Sequence, residues 1–243
     1  MDLVWIDANA RPEALPPPSR ALKNPNGLLA VGGRLSSEWI LTAYRRGVFP
    51  WYERGQPILW WSPDPRAVLR VGALRISRSL RRKLTRAPFE LTADTAFADV
   101  ITACGEPRRY SDATWITPAM RTAYVRLHGQ GWAHSFEAWQ GERLVGGLYG
   151  IAIGGVFFGE SMFTRVTDAS KIAFAAAMSF FAHKGIELVD CQVPTAHLAS
   201  LGAVEIPRKK FLEELESLTA RDDRPGVWSQ DFAAAGSRNR ERN

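Results

Sequence analysis

The sequence predicts an α+β protein in two parts, residues 1–64 and 65–243. Three observations carry this. Residues 133–139, 143–153 and 156–161 read as strands separated only by short turns, which makes a meander. An apolar helical stretch at 169–183 leads into a further strand pattern at 187–193, so strand, helix and strand follow one another. Ser62-Pro63-Asp64-Pro65 breaks the chain sharply ahead of all of them.

Each element has a local cause. The prolines at 16–18 make a stiff surface segment. Ser36 is a fitting N-cap for a helix whose apolar face is Trp39, Ile40, Ala43 and Tyr44, stopped by Gly47. After the break, 67–71 reads as a strand, and 78–86 reads as a basic helix ending before Pro88. Thr95 is expected to cap a helix through Cys104. Thr117 followed by Pro118 opens a helix to about His128. Gln140-Gly141 and Gly154-Gly155 supply the meander's turns. Asp168 is expected to cap the apolar helix that Gly185 stops, and Pro207 precedes a short amphipathic helix through Ser217. The polar tail at 237–243 is expected to fray.

Charge is the strongest functional signal. Between Arg66 and Phe89 stand Arg66, Arg70, Arg75, Arg78, Arg81, Arg82, Lys83 and Arg86, with no Asp or Glu, in a chain whose net charge is only +6. A patch of one sign needs a polyanion, and nucleic-acid phosphate leads. Five of nine tryptophans, Trp39, Trp51, Trp60, Trp61 and Trp115, lie near it in sequence. Trp60 and Trp61 alternate on a strand, so one points inward and the other faces a groove. Cys104 and Cys191 form no CxxC, and the four histidines show no metal spacing. The N-terminus has neither a basic nor an apolar leader segment, and no apolar run reaches about 18 residues. A cytoplasmic protein without membrane or metal is expected.

Two segments could carry chemistry. On a strand, Asp190 and Gln192 share one face, while Val189, Cys191 and Val193 share the other, so Cys191 reads as core. A carboxylate at the end of an apolar strand needs a partner or a job. Glu160 sits among Phe157, Phe158, Met162 and Phe163, where it must pair or have a raised pKa. The unit from Phe157 to Phe181 resembles the core of GNAT-type acyltransferases. Their coenzyme A loop would fall at 165–170, where Asp168 places an anion against the pyrophosphate.

The motifs then converge. PNGLLAVGG (25–33), AYRRGVFPWY (43–52), PILWWSPDPRAVL (57–69), TWITPAM (114–120), HSFEAW (134–139), LVGGLYG (144–150), FFGESMF (157–163), DASK (168–171), LVDCQV (188–193) and ASLGAVEIPR (199–208) occur in order. Together they resemble the leucyl/phenylalanyl-tRNA–protein transferase family. The resemblance implies a small N-terminal domain followed by a GNAT-like domain with a mixed, largely antiparallel sheet. It implies transfer of Leu, Phe or Met from aminoacyl-tRNA to proteins with N-terminal Lys or Arg, marking them for degradation, with no coenzyme A, cofactor or metal. By resemblance, Asp190 and Gln192 relay the proton, and Glu160 helps fix the cationic acceptor. Leu148, Phe157 and Phe181 line the donor side-chain pocket, and Trp51, Trp115 and Tyr44 hold the terminal adenosine. Arg78, Arg81, Arg82 and Lys83 of the basic run are the expected tRNA contacts. Two other readings stay open on the residues themselves: a coenzyme A-dependent N-acyltransferase, against which Asp168 argues, and an RNA-binding module, which leaves Glu160, Asp190 and Gln192 without a role.

Overall fold

The computed structural model describes residues 3–107 and 114–241, with side chains to residue 236. In chain order the elements are β1 (Val4–Ile6), β2 (Leu28–Gly32), α1 (Ser37–Arg45), β3 (Phe49–Pro50), β4 (Leu59–Trp61), β5 (Arg66–Arg70), α2 (Arg78–Arg86), β6 (Glu90–Ala93), α3 (Phe97–Cys104), α4 (Pro118–Gly129), β7 (Ala133–Gln140), β8 (Arg143–Ile153), β9 (Val156–Thr164), α5 (Ala169–Lys184), β10 (Leu188–Gln192), α6 (Ala196–Ser200), β11 (Val204–Ile206), α7 (Arg208–Thr219) and α8 (Ser229–Glu241). The α+β class holds, with mixed sheets. A four-stranded sheet runs β1-β2-β4-β3, and a seven-stranded one runs β11-β5-β10-β9-β8-β7-β6. In the larger sheet β9 and β10 pair in parallel and the other neighbours antiparallel.

Helix α1 joins the sheets because its apolar stripe is wide enough for two faces. The Ser36 hydroxyl accepts from the Trp39 N–H, a cap that contributes about 1 kcal/mol. Trp39 and Ala43 belong to the small sheet's core, where Trp39 tilts against Trp60 at 5.7 Å. Ile40 and Tyr44 belong to the core on one face of the large sheet, with α3, α4 and α7. The opposite face packs on α5 and α8. Gly146 lets α5 approach β8 closely, since a Cβ there would lie 2.6 Å from the Ala169 methyl.

Several expectations need correction. Thr95 caps nothing: α3 begins after Ala96 without a side-chain cap, and the Thr95 hydroxyl goes to Glu137 at 3.1 Å. Glu137 is fully buried and takes further hydroxyl donors from Thr92 and Ser135, which explains a carboxylate inside a strand. Asp168 stands at the N-cap of α5 in the left-handed region, φ 69°, but makes no capping bond. Its carboxylate reaches Lys83 Nζ at 2.5 Å instead. Of the tail expected to fray, residues 237–241 continue α8, and residues 242 and 243 lie outside the described residues. Among the described residues no helix is long and apolar enough to cross a membrane.

Candidate active site

Strands β9 and β10 are neighbours only for Leu188–Asp190 against Val156–Phe158. Beyond that the two strands part. A bulge displaces the pairing of β10 between Asp190 and Gln192, and Gln192 takes φ 63°. A cleft of about 1180 Å³ opens there, and its walls include Gly159–Thr164 and Cys191–Val193. A parallel pair that separates exposes unpaired backbone and inward side chains at one spot, a natural place for a ligand.

Glu160 is the centre of that spot. It accepts from Tyr44 OH at 2.6 Å, Tyr124 OH at 2.9 Å and Gln192 Nε2 at 2.8 Å. Burial pushes its pKa up from 4.5 to about 7, and the Asp190 charge adds to the rise. The hydrogen bonds from Tyr44, Tyr124 and Gln192 act the other way. Protein surrounds the carboxylate, yet the residue keeps intermediate exposure and part of it meets the cleft. Burial, then the Glu160 charge, holds the phenols of Tyr44 and Tyr124 well above their ordinary pKa, so both stay protonated donors. A carboxyl that titrates near neutrality beside a fixed amide is suited to taking a proton from an amine.

Asp190, expected in the proton relay, is fully buried, and Arg66 grips it with two bonds, Nε to Oδ1 at 2.8 Å and Nη2 to Oδ2 at 2.7 Å. The guanidinium lies between the rings of Phe49 and Phe211, at 4.8 and 4.7 Å. A bidentate pair of this kind, buried on both sides, holds the carboxylate in one orientation. Oδ1 also accepts the Gln192 backbone N–H at 2.9 Å. Cys191 is buried, as its strand position predicted. Burial raises its thiol to about 12, so it is no nucleophile.

The other expected residues divide. Leu148 and Phe157 line the cleft, along with Met162, Phe174 and Val189. Phe181 does not; it packs behind Phe157 at 4.5 Å and supports that wall. Trp51, 41% exposed, and Trp115 also line it. Trp61 Nε1 donates to the Trp51 carbonyl and its ring meets Trp51 edge-on at 5.6 Å, while Trp60 is fully buried. Tyr44, expected at the adenosine, has no exposed surface, and its hydroxyl is committed to Glu160 and Tyr124.

The basic run is not uniform either. Arg66 is inside, Arg70 pairs with Glu214, and Lys83 pairs with Asp168. Arg78, Arg81, Arg82 and Arg86 are exposed on α2 and have no ion pair among the described residues. Like charges at helical spacing oppose the helix by a few tenths of a kcal/mol per pair, so this surface gains from an anion. Asp168 also lines the cleft, which puts α2 at its rim.

Sequence reasoning misses Tyr124 and the true role of Arg66. Tyr124 reads as one more apolar residue of α4. Arg66 opens a strand that ends in a second arginine, Arg70, and inside a run of cations it does not stand out.

A family model described as leucyl/phenylalanyl-tRNA protein transferase matches residues 68–216, and one described as the N-terminal domain of that transferase matches residues 33–64. A leucyl/phenylalanyl-tRNA–protein transferase of Aromatoleum aromaticum is 57% identical over 229 residues, spanning 94% of this chain and 96% of the relative. Those of an Azoarcus species and of Methylococcus capsulatus are 56% and 55% identical, over 91% and 93% of this chain and 94% and 96% of their own lengths.

Proposed function

The chain belongs to the leucyl/phenylalanyl-tRNA protein transferase family, and on that premise we propose that it moves an aminoacyl group from tRNA to the α-amino group of a protein. The finer reading takes Leu, Phe or Met as the group moved, N-terminal Lys or Arg as the acceptor, and degradation of the tagged protein in the cytoplasm as the consequence. Residues 65–243 form a GNAT-like catalytic domain behind a small domain at 1–64. The parting of β9 and β10 at the cleft supports that reading.

The reaction is ester aminolysis. The acceptor nitrogen attacks the ester carbonyl, an N–C bond forms, and the bond to the terminal ribose oxygen breaks. The nitrogen gives up a proton and the ribose oxygen gains one. The ester is already activated, so positioning and proton handling suffice without a cofactor. Glu160 takes the proton, and Gln192 orients the amine. Leu148 and Phe157 face the donor side chain, with Phe181 behind them. Trp51 and Trp115 stack on the terminal adenine, about 1–3 kcal/mol per base. Arg78, Arg81 and Arg82 meet phosphates, and Lys83 joins them when it leaves Asp168.

The observation that carries the reading is Glu160, raised to about 7 where the two strands part. The test is single-turnover transfer of labelled Leu from charged tRNA to a peptide beginning with Arg. Wild type should transfer, and Glu160→Gln should slow the step by about 10²-fold or more with tRNA affinity unchanged. Absence of transfer by wild type overturns the reading, and near-normal turnover in Glu160→Gln removes Glu160 from it.

A further inference from the structure

Arg66 has no exposed surface, lies between two aromatic rings and spends two of its nitrogens on Asp190. The grip passes along a chain of contacts. Asp190 Oδ1 accepts the Gln192 N–H, Gln192 is held at φ 63°, and its side-chain amide donates to Glu160. A left-handed backbone at a non-glycine residue persists only where its surroundings impose it. Here the imposing group is a carboxylate that another residue fixes in place.

We propose that Arg66 is a positioning residue for acyl transfer: it locks Asp190 as a hydrogen-bond acceptor, and Asp190 sets the turn that aims the Gln192 amide at Glu160. Asp190 then acts through its geometry. The inference rests on the aminoacyl-transfer reading, in which Gln192 orients the attacking amine.

The geometry suggests a variant that separates charge from shape. In Arg66→Gln the new amide nitrogen stands where Nε stood, three carbons out from Cα. In Asp190→Asn the amide oxygen keeps the Oδ1 position. The double variant Arg66→Gln with Asp190→Asn thus removes both charges together, leaves no unpaired buried ion, and keeps an acceptor for the Gln192 N–H. The second double variant, Arg66→Met with Asp190→Ala, also leaves no buried ion but removes that acceptor.

Two measurements decide. The first is single-turnover transfer from charged tRNA, with KM for tRNA measured alongside. The amide-conserving pair should stay within about threefold of wild type, and the apolar pair should lose kcat by about 10²-fold with KM unchanged, the scale of a small misplacement. The second is hydrogen exchange of the Gln192 backbone N–H, which needs no substrate. Exchange should stay slow in the amide-conserving pair and become fast in the apolar pair. If the amide-conserving pair loses kcat as completely as the apolar pair while its exchange stays slow, the charge of Asp190 is required and the proposal is overturned. Slow exchange in the apolar pair overturns it too. A wild type that transfers nothing overturns the aminoacyl-transfer reading alone, because the exchange rates still decide whether Arg66 and Asp190 hold the turn.

Discussion

Two ion pairs of this molecule have nearly the same length and opposite character. Arg66–Asp190 is 2.7 Å long with neither side chain exposed, and Lys83–Asp168 is 2.5 Å long with side chains 42% and 21% exposed. The first sits between β5 and β10 in a dry setting, where breaking it leaves a charge with no water to turn to. The second joins α2 to the start of α5 at the cleft rim, where water and salt compete for both partners. The inner pair therefore fixes geometry. The outer pair can exchange, and a phosphate can take the place of Asp168 on Lys83. Distance alone would have ranked them the other way.

The largest expected effect comes from breaking the inner pair on one side. Arg66→Met leaves Asp190 charged and buried, and should lower stability by about 3–5 kcal/mol in a urea unfolding experiment. A loss below about 1 kcal/mol, the range of an exposed pair, would erase the difference between the two sites. Asp190→Asn, which strands the guanidinium instead, should also destabilise the fold, so its activity is not a clean measure of proton transfer.

The next effect concerns the cations that have no partner. Replacing Arg78, Arg81 and Arg82 together by Ala should weaken tRNA binding and lower the log–log salt slope by about one for each phosphate no longer neutralised. Fluorescence anisotropy with uncharged tRNA over a salt series measures this. An unchanged slope would move the tRNA surface away from α2.

Smaller still is the effect of one donor to Glu160. The carboxylate form is needed to take a proton, so transfer should fall as pH drops through about 7. The Tyr124 hydroxyl favours the carboxylate, hence Tyr124→Phe should move this fall to higher pH. An acid limb that stays in place would show that Glu160 does not set it.

What can be read in advance follows the range of the interactions involved. The Ser36 and Thr117 caps, the face of α1, the meander and the basic helix are decided by residues a few positions apart, and they are legible in the sequence. The short strands β1, β3 and β6 are not, because runs of three, two and four residues carry too little alternation. Residues 160, 190 and 192 stand out as polar groups in apolar strands. That Asp190 belongs to Arg66, 124 positions away, cannot be seen there. Trp228 lies outside every matched motif, yet it is 3% exposed, stacks on His134 at 3.4 Å and donates its backbone N–H to Asp94. A long-range partner leaves no local pattern, and these partners decide which carboxylate is free.

The smallest effect is the most pointed test of the comparison. Lys83 already spends part of its charge on Asp168, whereas Arg81 on the same helix faces solvent without an ion-pair partner among the described residues. For Lys83 to meet a phosphate it must leave a carboxylate, so its net contribution to tRNA binding is reduced by the strength of an exposed pair, up to about 1 kcal/mol. Lys83→Ala should consequently weaken tRNA binding less than Arg81→Ala does. Asp168→Asn removes the competitor and an anion from the rim, so it should tighten binding slightly at low salt, and the gain should fade as ionic strength rises and the Debye length shrinks to about 3 Å at 1 M. Its effect on stability should stay within about 1 kcal/mol, in contrast to Arg66→Met. Side-by-side anisotropy titrations of the three variants decide the point. If Lys83→Ala costs as much affinity as Arg81→Ala, and Asp168→Asn changes nothing at low salt, then Lys83 and Asp168 do not compete with phosphate, and the outer pair is as fixed as the inner one.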